Sequence, residues 1–153
     1  MMNEMTKSTT IKTPINFKVL IRTTKEEAFN GLATAEGLDK WFTKGSFIDR
    51  HKPGGTLTLK WTNWGVDNIT GTIHCPIIEY SFPDIFTFKW WDDHYTTVKF
   101  TFKNVDDGII VSVNELGYEY SKEGIKRCIE CSIGWGEALT LLKIYLEHGI
   151  SYN

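Results

Sequence analysis

Cys128 and Cys131, in Cys128-Ile129-Glu130-Cys131, have the spacing of a dithiol redox pair. Such a pair works at the N-terminus of a helix in a β-α-β setting, where the helix dipole lowers one thiol's pKa. Here it falls several residues inside a predicted helix that follows a run of strands, so packing is the expected role. His74 beside Cys75 offers metal-ligand chemistry, but one adjacent pair is short of the three or four ligands zinc takes. The remaining histidines, His51, His94 and His148, are widely spaced, and His148 suits the negative end of a helix. Lys52-Pro53-Gly54-Gly55 lacks both the Gly-Lys-Ser/Thr ending and the following helix of a phosphate loop, and no Gly-x-Ser-x-Gly elbow surrounds a serine. Two carboxylates remain. Glu79 and Glu115 lie in predicted strands, where facing inward would desolvate them and make each a ligand hook or a general acid or base. Facing outward, as strand glutamates more often do, they would simply be solvated. No catalytic set, metal or cofactor is expected.

The elements that must position these residues are legible in the hydrophobic period. Ile15, Phe17, Val19 and Ile21 alternate strictly, which predicts a strand with one buried face at about 11–22. Thr23 or Thr24, followed by Glu26 and Glu27, reads as a helix cap with acids in the first turn, and Ala28, Phe29, Leu32 and Ala33 form the inner stripe. Leu38, Trp41 and Phe42 predict a second short helix. From Gly45 to Glu115 the period becomes two, with turn residues at 52–55, 63–68, 81–84, 92–94 and 104–108, so the strands form an antiparallel meander. Leu57, Leu59 and Trp61 share a face, as do Phe86, Phe88 and Trp90, then Val98, Phe100 and Phe102, then Ile109, Val111 and Val113. Cys128, Ser132, Trp135, Leu139, Leu142 and Leu146 mark a helix over about 122–148, with Gly149 placed to cap it and Gly134 and Gly136 as candidate kinks. The order leaves the apolar sheet face one cover, the last helix.

Composition excludes several classes. Seventeen basic against nineteen acidic residues, a net charge of -2 and no dense basic cluster argue against a nucleic-acid partner. No run approaches the roughly 18 apolar residues of a membrane span, and Met1–Thr13 has no apolar leader core, so a cytoplasmic protein without a membrane partner is expected. Three cysteines without a regular framework predict reduced thiols. Residues 1–10 read as a disordered tail and 11–150 as a single α+β domain. Aromatic residues make 14% of the chain, enough for a large core or a lined cavity.

Several segments, taken in order, resemble the START-like (SRPBCC) superfamily, in particular the group related to the activator of the heat-shock-protein-90 ATPase. They are Ala28-Phe29 through Gly37-Leu38-Asp39-Lys40-Trp41-Phe42, the turn Pro53-Gly54-Gly55, Gly71-Thr72-Ile73, Glu79 before Pro83 and Trp90, and Gly134-Trp135-Gly136-Glu137-Ala138-Leu139 with Leu142 to Leu146. The resemblance covers about residues 11–149. It implies a helix-grip fold, in which a curved antiparallel sheet of about six or seven strands wraps a long C-terminal helix, with two short helices after strand one. It also implies a groove that serves lipids, polyketides, hormones and other apolar molecules across the superfamily. It implies no reaction, because function belongs to the site.

The expected site is an apolar pocket between sheet and last helix. It is bounded by Trp41, Phe47, Leu59, Trp61, Phe88, Trp90, Trp135 and Leu139, with Glu79 or Glu115 to orient a ligand. The opposing expectation is that the same rings close-pack as core. Binding of a small, largely hydrophobic molecule is the first functional expectation, by a monomer or homodimer. A cyclase- or hydrolase-like enzyme acting on an aromatic or polyketide substrate is the second, and a chaperone-interacting stress-response module the third.

Overall fold

The computed structural model describes residues 10–91 and 96–152. Of the expected tail, residues 1–9 lie outside this range, while Thr10 bridges to Glu119. The expected turn at 92–94 also lies outside it.

Seven strands form one antiparallel sheet: β1 (Ile15–Ile21), β2 (Phe47–Ile48), β3 (Thr56–Trp64), β4 (Ile69–Ser81), β5 (Ile85–Trp90), β6 (Thr96–Val105) and β7 (Gly108–Leu116). Their spatial order is β1-β7-β6-β5-β4-β3-β2. Strands two to seven follow one another as a meander, and β1 pairs with the last of them, Ile15 opposite Glu115 and Ile21 opposite Ile109. Between β1 and β2 run α1 (Lys25–Ala33) and α2 (Ala35–Leu38), and α3 (Lys122–His148) closes the chain. This is the helix-grip fold.

Local chemistry sets the helix ends. Thr24 Oγ1 accepts from the Glu27 N–H at 3.2 Å, Thr34 Oγ1 from Gly37 at 3.0 Å and Ser121 Oγ from Gly124 at 3.0 Å, each satisfying an orphan donor of a first turn. Gly149 ends α3 at φ 69, a left-handed conformation that costs glycine little, and its N–H reaches the Tyr145 carbonyl. Neither Gly134 nor Gly136 interrupts α3, which runs as one helix of 27 residues.

The sheet's inner face is buried as the alternation predicts, from Leu57, Leu59 and Trp61 through Phe86, Phe88 and Trp90 to Val111 and Val113, and α3 covers it with Trp135, Ala138, Leu139 and Leu142. Two register shifts bend the sheet, one between Trp61 and Trp64 and one between Ile77 and Glu79. The second lies where Pro76-Ile77-Ile78 crosses the Pro53-Gly54-Gly55 turn, with Ile77 exchanging backbone hydrogen bonds with Gly54 and Gly55. The C-terminal half of α3 is tied to β1. Glu147 accepts from the Arg22 backbone N–H at 2.9 Å and from Lys143 at 3.1 Å, and Lys143 also donates to the Leu20 carbonyl.

Candidate ligand-binding site

Near its N-terminal half α3 does not close onto the sheet. A cavity of about 240 Å³ remains there, lined by Trp61 and Trp64 of β3, Ile69 and Ile73 of β4, Trp90 and Trp91 at the end of β5, Phe42, and Arg127, Glu130, Cys131, Gly134 and Trp135 of α3. Five of the six tryptophans meet in it. Their rings hold one another edge-on or tilted, with centroids of Trp61 and Trp90 6.1 Å apart, Trp90 and Trp135 5.3 Å apart, and Phe42 5.4 Å from both Trp61 and Trp64. Arg127 lies over the Trp91 ring at 4.7 Å, a cation–π contact in the wall.

Of the residues expected at the site, Trp61, Trp90 and Trp135 are brought together on this wall. Leu59 and Phe88 sit behind it, around a void of about 10 Å³ shared with Phe42 and Trp135, and Leu139 is wholly buried in the core. Trp41 is also core. Its ring stacks on Phe42 at 4.9 Å and its indole N–H donates to the Gly31 carbonyl at 2.8 Å. Phe47 does not take the inward position expected of it: it is 60% exposed, because in the two-residue β2 its neighbour Ile48 faces the core. Glu79 is half-buried on β4 and accepts from Thr87 Oγ1 at 3.4 Å, away from the cavity lining.

Glu115 faces inward and is 1% exposed. Its carboxylate accepts from Thr96 Oγ1 at 2.6 Å, Trp135 Nε1 at 2.7 Å and the Cys131 thiol at 3.2 Å. These donors occupy it and place Trp135 and Cys131 between it and the cavity. Burial and the nearby Glu115 push the Cys131 thiol's pKa well up, so it is a protonated donor at neutral pH rather than a nucleophile. The same two causes raise Cys128, which answers the dithiol spacing with packing. None of the three cysteines is disulfide-bonded. Tyr118 is raised as well, chiefly by burial, and its hydroxyl accepts from Trp91 Nε1 at 3.1 Å. Together, Thr96, Glu115, Cys131, Trp135, Tyr118 and Trp91 fix the cavity's back wall through buried and half-buried hydrogen bonds. Two further wall donors, Trp64 Nε1 and Trp90 Nε1, are buried with no hydrogen-bond partner among the described residues.

Sequence reasoning read Trp64 as part of the 63–68 turn rather than of the wall, and it missed Trp91 because strict alternation sends that ring away from the face of Trp90. Trp64 is three residues from Trp61, and Trp91 is adjacent to Trp90. Both are turned back by local backbone: Asn63 at φ 52 within the register shift, and Trp91 itself at φ 67. The α3 contribution carried a signal that was available, since Arg127, Cys131, Gly134 and Trp135 follow the spacing of one helix face. Among the described residues no group of three or more His, Cys, Asp and Glu could hold a metal ion, and no helix is long and apolar enough to cross a membrane.

The architecture matches solved structures at low sequence identity. A protein from Staphylococcus saprophyticus superposes with a TM-score of 0.75 at 20% identity, covering 92% of this chain and 96% of its own. The Aha1 dimer from Colwellia psychrerythraea gives 0.70 at 20% identity, with 90% and 98% covered. CalU16 from Micromonospora echinospora gives 0.69 at 16% identity, with 90% and 76% covered. No curated protein is similar in sequence. A family model does match, over residues 22–147, from the end of β1 to the last turn of α3 and including every residue of the cavity wall. The chain therefore belongs to the family described as Activator of Hsp90 ATPase homolog 1-like protein.

Proposed function

We propose that the chain binds a small, largely hydrophobic molecule in the cavity between the sheet and α3. The observation that carries this reading is the wall of five tryptophans and Phe42 around about 240 Å³ of space that these rings do not fill. A bound molecule burying roughly 250 Å² of apolar surface gains about 6 kcal/mol at about 25 cal/mol per Å². That corresponds to a Kd on the order of tens of micromolar before ordering costs. Enclosure supplies the affinity, and the buried network behind the wall keeps the rings in place. The protein is read as cytoplasmic, working as a monomer or a homodimer.

A cyclase- or hydrolase-like reading needs an acid or base at the ligand, and of the two carboxylates singled out in the sequence Glu115 is held by three donors behind the wall while Glu79 lies away from the lining. The family description favours a second reading, a module that contacts the Hsp90 chaperone. Retention of the chain on immobilised chaperone supports that reading, and none removes it. The test of the first is intrinsic tryptophan fluorescence of the purified chain, titrated with fatty acids, flavonoids and aromatic polyketides. A saturable change for one class supports the pocket, and a flat response across all three counts against it.

A further inference from the structure

Among the six tryptophans, three indole N–H groups donate within the protein and two are buried without a partner among the described residues. Trp41 Nε1 donates to Gly31, Trp91 Nε1 to Tyr118 and Trp135 Nε1 to Glu115. Trp64 Nε1 and Trp90 Nε1 have no partner among the described residues, although their side chains are only 9% and 7% exposed. Buried donors are rarely left so, because an unmade hydrogen bond costs the group its desolvation without return. The Cys131 sulfur is the acceptor beside Trp90 Nε1, and sulfur accepts only weakly. Both tryptophans end strands, Trp64 at the register shift and Trp90 next to the left-handed Trp91. Neither N–H has surface on the cavity as the rings stand, so recognition requires the ring to tilt toward the ligand.

Size and charge narrow the occupant further. A dry cavity of about 150 Å³ accepts a single benzene ring, and drug-sized ligands occupy roughly 300–1,000 Å³. A volume of about 240 Å³ lies between them and suits one or two rings. The charged groups in the wall, Arg127 and the exposed Glu130, have opposite sign, and Arg127 already lies over Trp91. Building on the pocket reading above, we propose that the ligand is a neutral aromatic molecule of one or two rings bearing hydrogen-bond acceptors, and that Trp64 Nε1 and Trp90 Nε1 are the donors that recognise them.

The test uses the full chain and two neutral two-ring probes, N-methylphthalimide with two carbonyl oxygens and naphthalene with no acceptor, measured by calorimetric titration. Trp64→Phe and Trp90→Phe remove one donor each and keep an aromatic ring. Each is expected to weaken N-methylphthalimide about tenfold, the scale of one lost hydrogen bond, and to change naphthalene by less than about twofold. Comparing each probe with itself across variants cancels their unequal hydrophobicity. In the unsubstituted chain the indole N–H resonances of Trp64 and Trp90 should move downfield with N-methylphthalimide, as a new hydrogen bond requires, and show no downfield move with naphthalene, and this decides the matter if a variant does not fold. Equal losses for both probes, no downfield move of the Trp64 and Trp90 resonances with N-methylphthalimide, or binding of naphthalene alone would overturn the donor assignment and leave the pocket reading standing. If neither probe binds, the donor assignment falls, and the fluorescence titration alone decides the pocket reading.

Discussion

Glu115 is the residue at which structural and functional demands meet. Placed inward on a strand, it could have been a general base, but three side-chain donors converge on it and make it the anchor of the wall. Replacing it with alanine leaves the Thr96 hydroxyl, the Cys131 thiol and the Trp135 indole buried without their acceptor. Glu115→Ala should therefore cost about 3–5 kcal/mol, since each buried polar group left unpaired costs roughly 1–3 kcal/mol. Glu115→Gln, which keeps an acceptor oxygen, should lose distinctly less. Urea unfolding followed by circular dichroism measures both, and equal, small losses would show that the three bonds do not hold the wall. The sequence singled out Glu115 but not its partners. They come from β6 and from one face of α3, and only tertiary packing brings these to one point.

Among the elements, α3 does two jobs along one length. Its C-terminal half packs Ala138, Leu139 and Leu142 into the core, whereas its N-terminal half stands off the sheet and supplies the cavity wall. Gly134 marks the difference, because a Cβ there would meet nothing within 4 Å. Gly134→Ala should stabilise the fold by up to about 1 kcal/mol, the helix-propensity gain over glycine. Gly134→Leu should keep the fold and reduce ligand affinity at least tenfold by occupying the cavity. Thermal melting and fluorescence titration separate the two effects, and unchanged affinity in Gly134→Leu would place the ligand elsewhere. Elements were the most legible level of the sequence. The periods of two and of about 3.6 placed the strands and α3, and the caps at Thr24 and Gly149 lie where side-chain chemistry put them. The same alternation failed at Trp64 and Trp91, where positive-φ backbone at Asn63 and at Trp91 cancels the side-to-side rule that made the strands readable.

For the whole molecule, the meander fixes which end of the barrel-like grip is open. β1 pairs with β7 and is tied to the end of α3 through Glu147, so the cavity is confined to the other end, beneath β3, β4 and β5. The Arg22 backbone N–H, reinforced by Lys143, holds the Glu147 carboxyl below its usual pKa. A depressed carboxylate pKa adds stability that is complete above about pH 4.5 and is lost as pH falls through the lower folded value. Asp49, lowered by the Thr56 backbone N–H, acts in the same direction. Glu147→Gln should therefore flatten the decline in unfolding midpoint between pH 5 and pH 2.5 and lower the midpoint at pH 7. An unaltered acid slope would remove Glu147 from the account.

What length and composition could not settle was whether so many rings fill the core or enclose a space, since both demand the same inward faces. The most direct test is the indole region of the 15N–1H spectrum as the chain is saturated with the ligand class that the fluorescence titration selects. The pocket account predicts that the resonances of Trp61, Trp64, Trp90, Trp91 and Trp135 move, while that of Trp41, bonded to Gly31 within the core, stays in place. Movement of Trp41 alone, or of no indole at saturation, would contradict it.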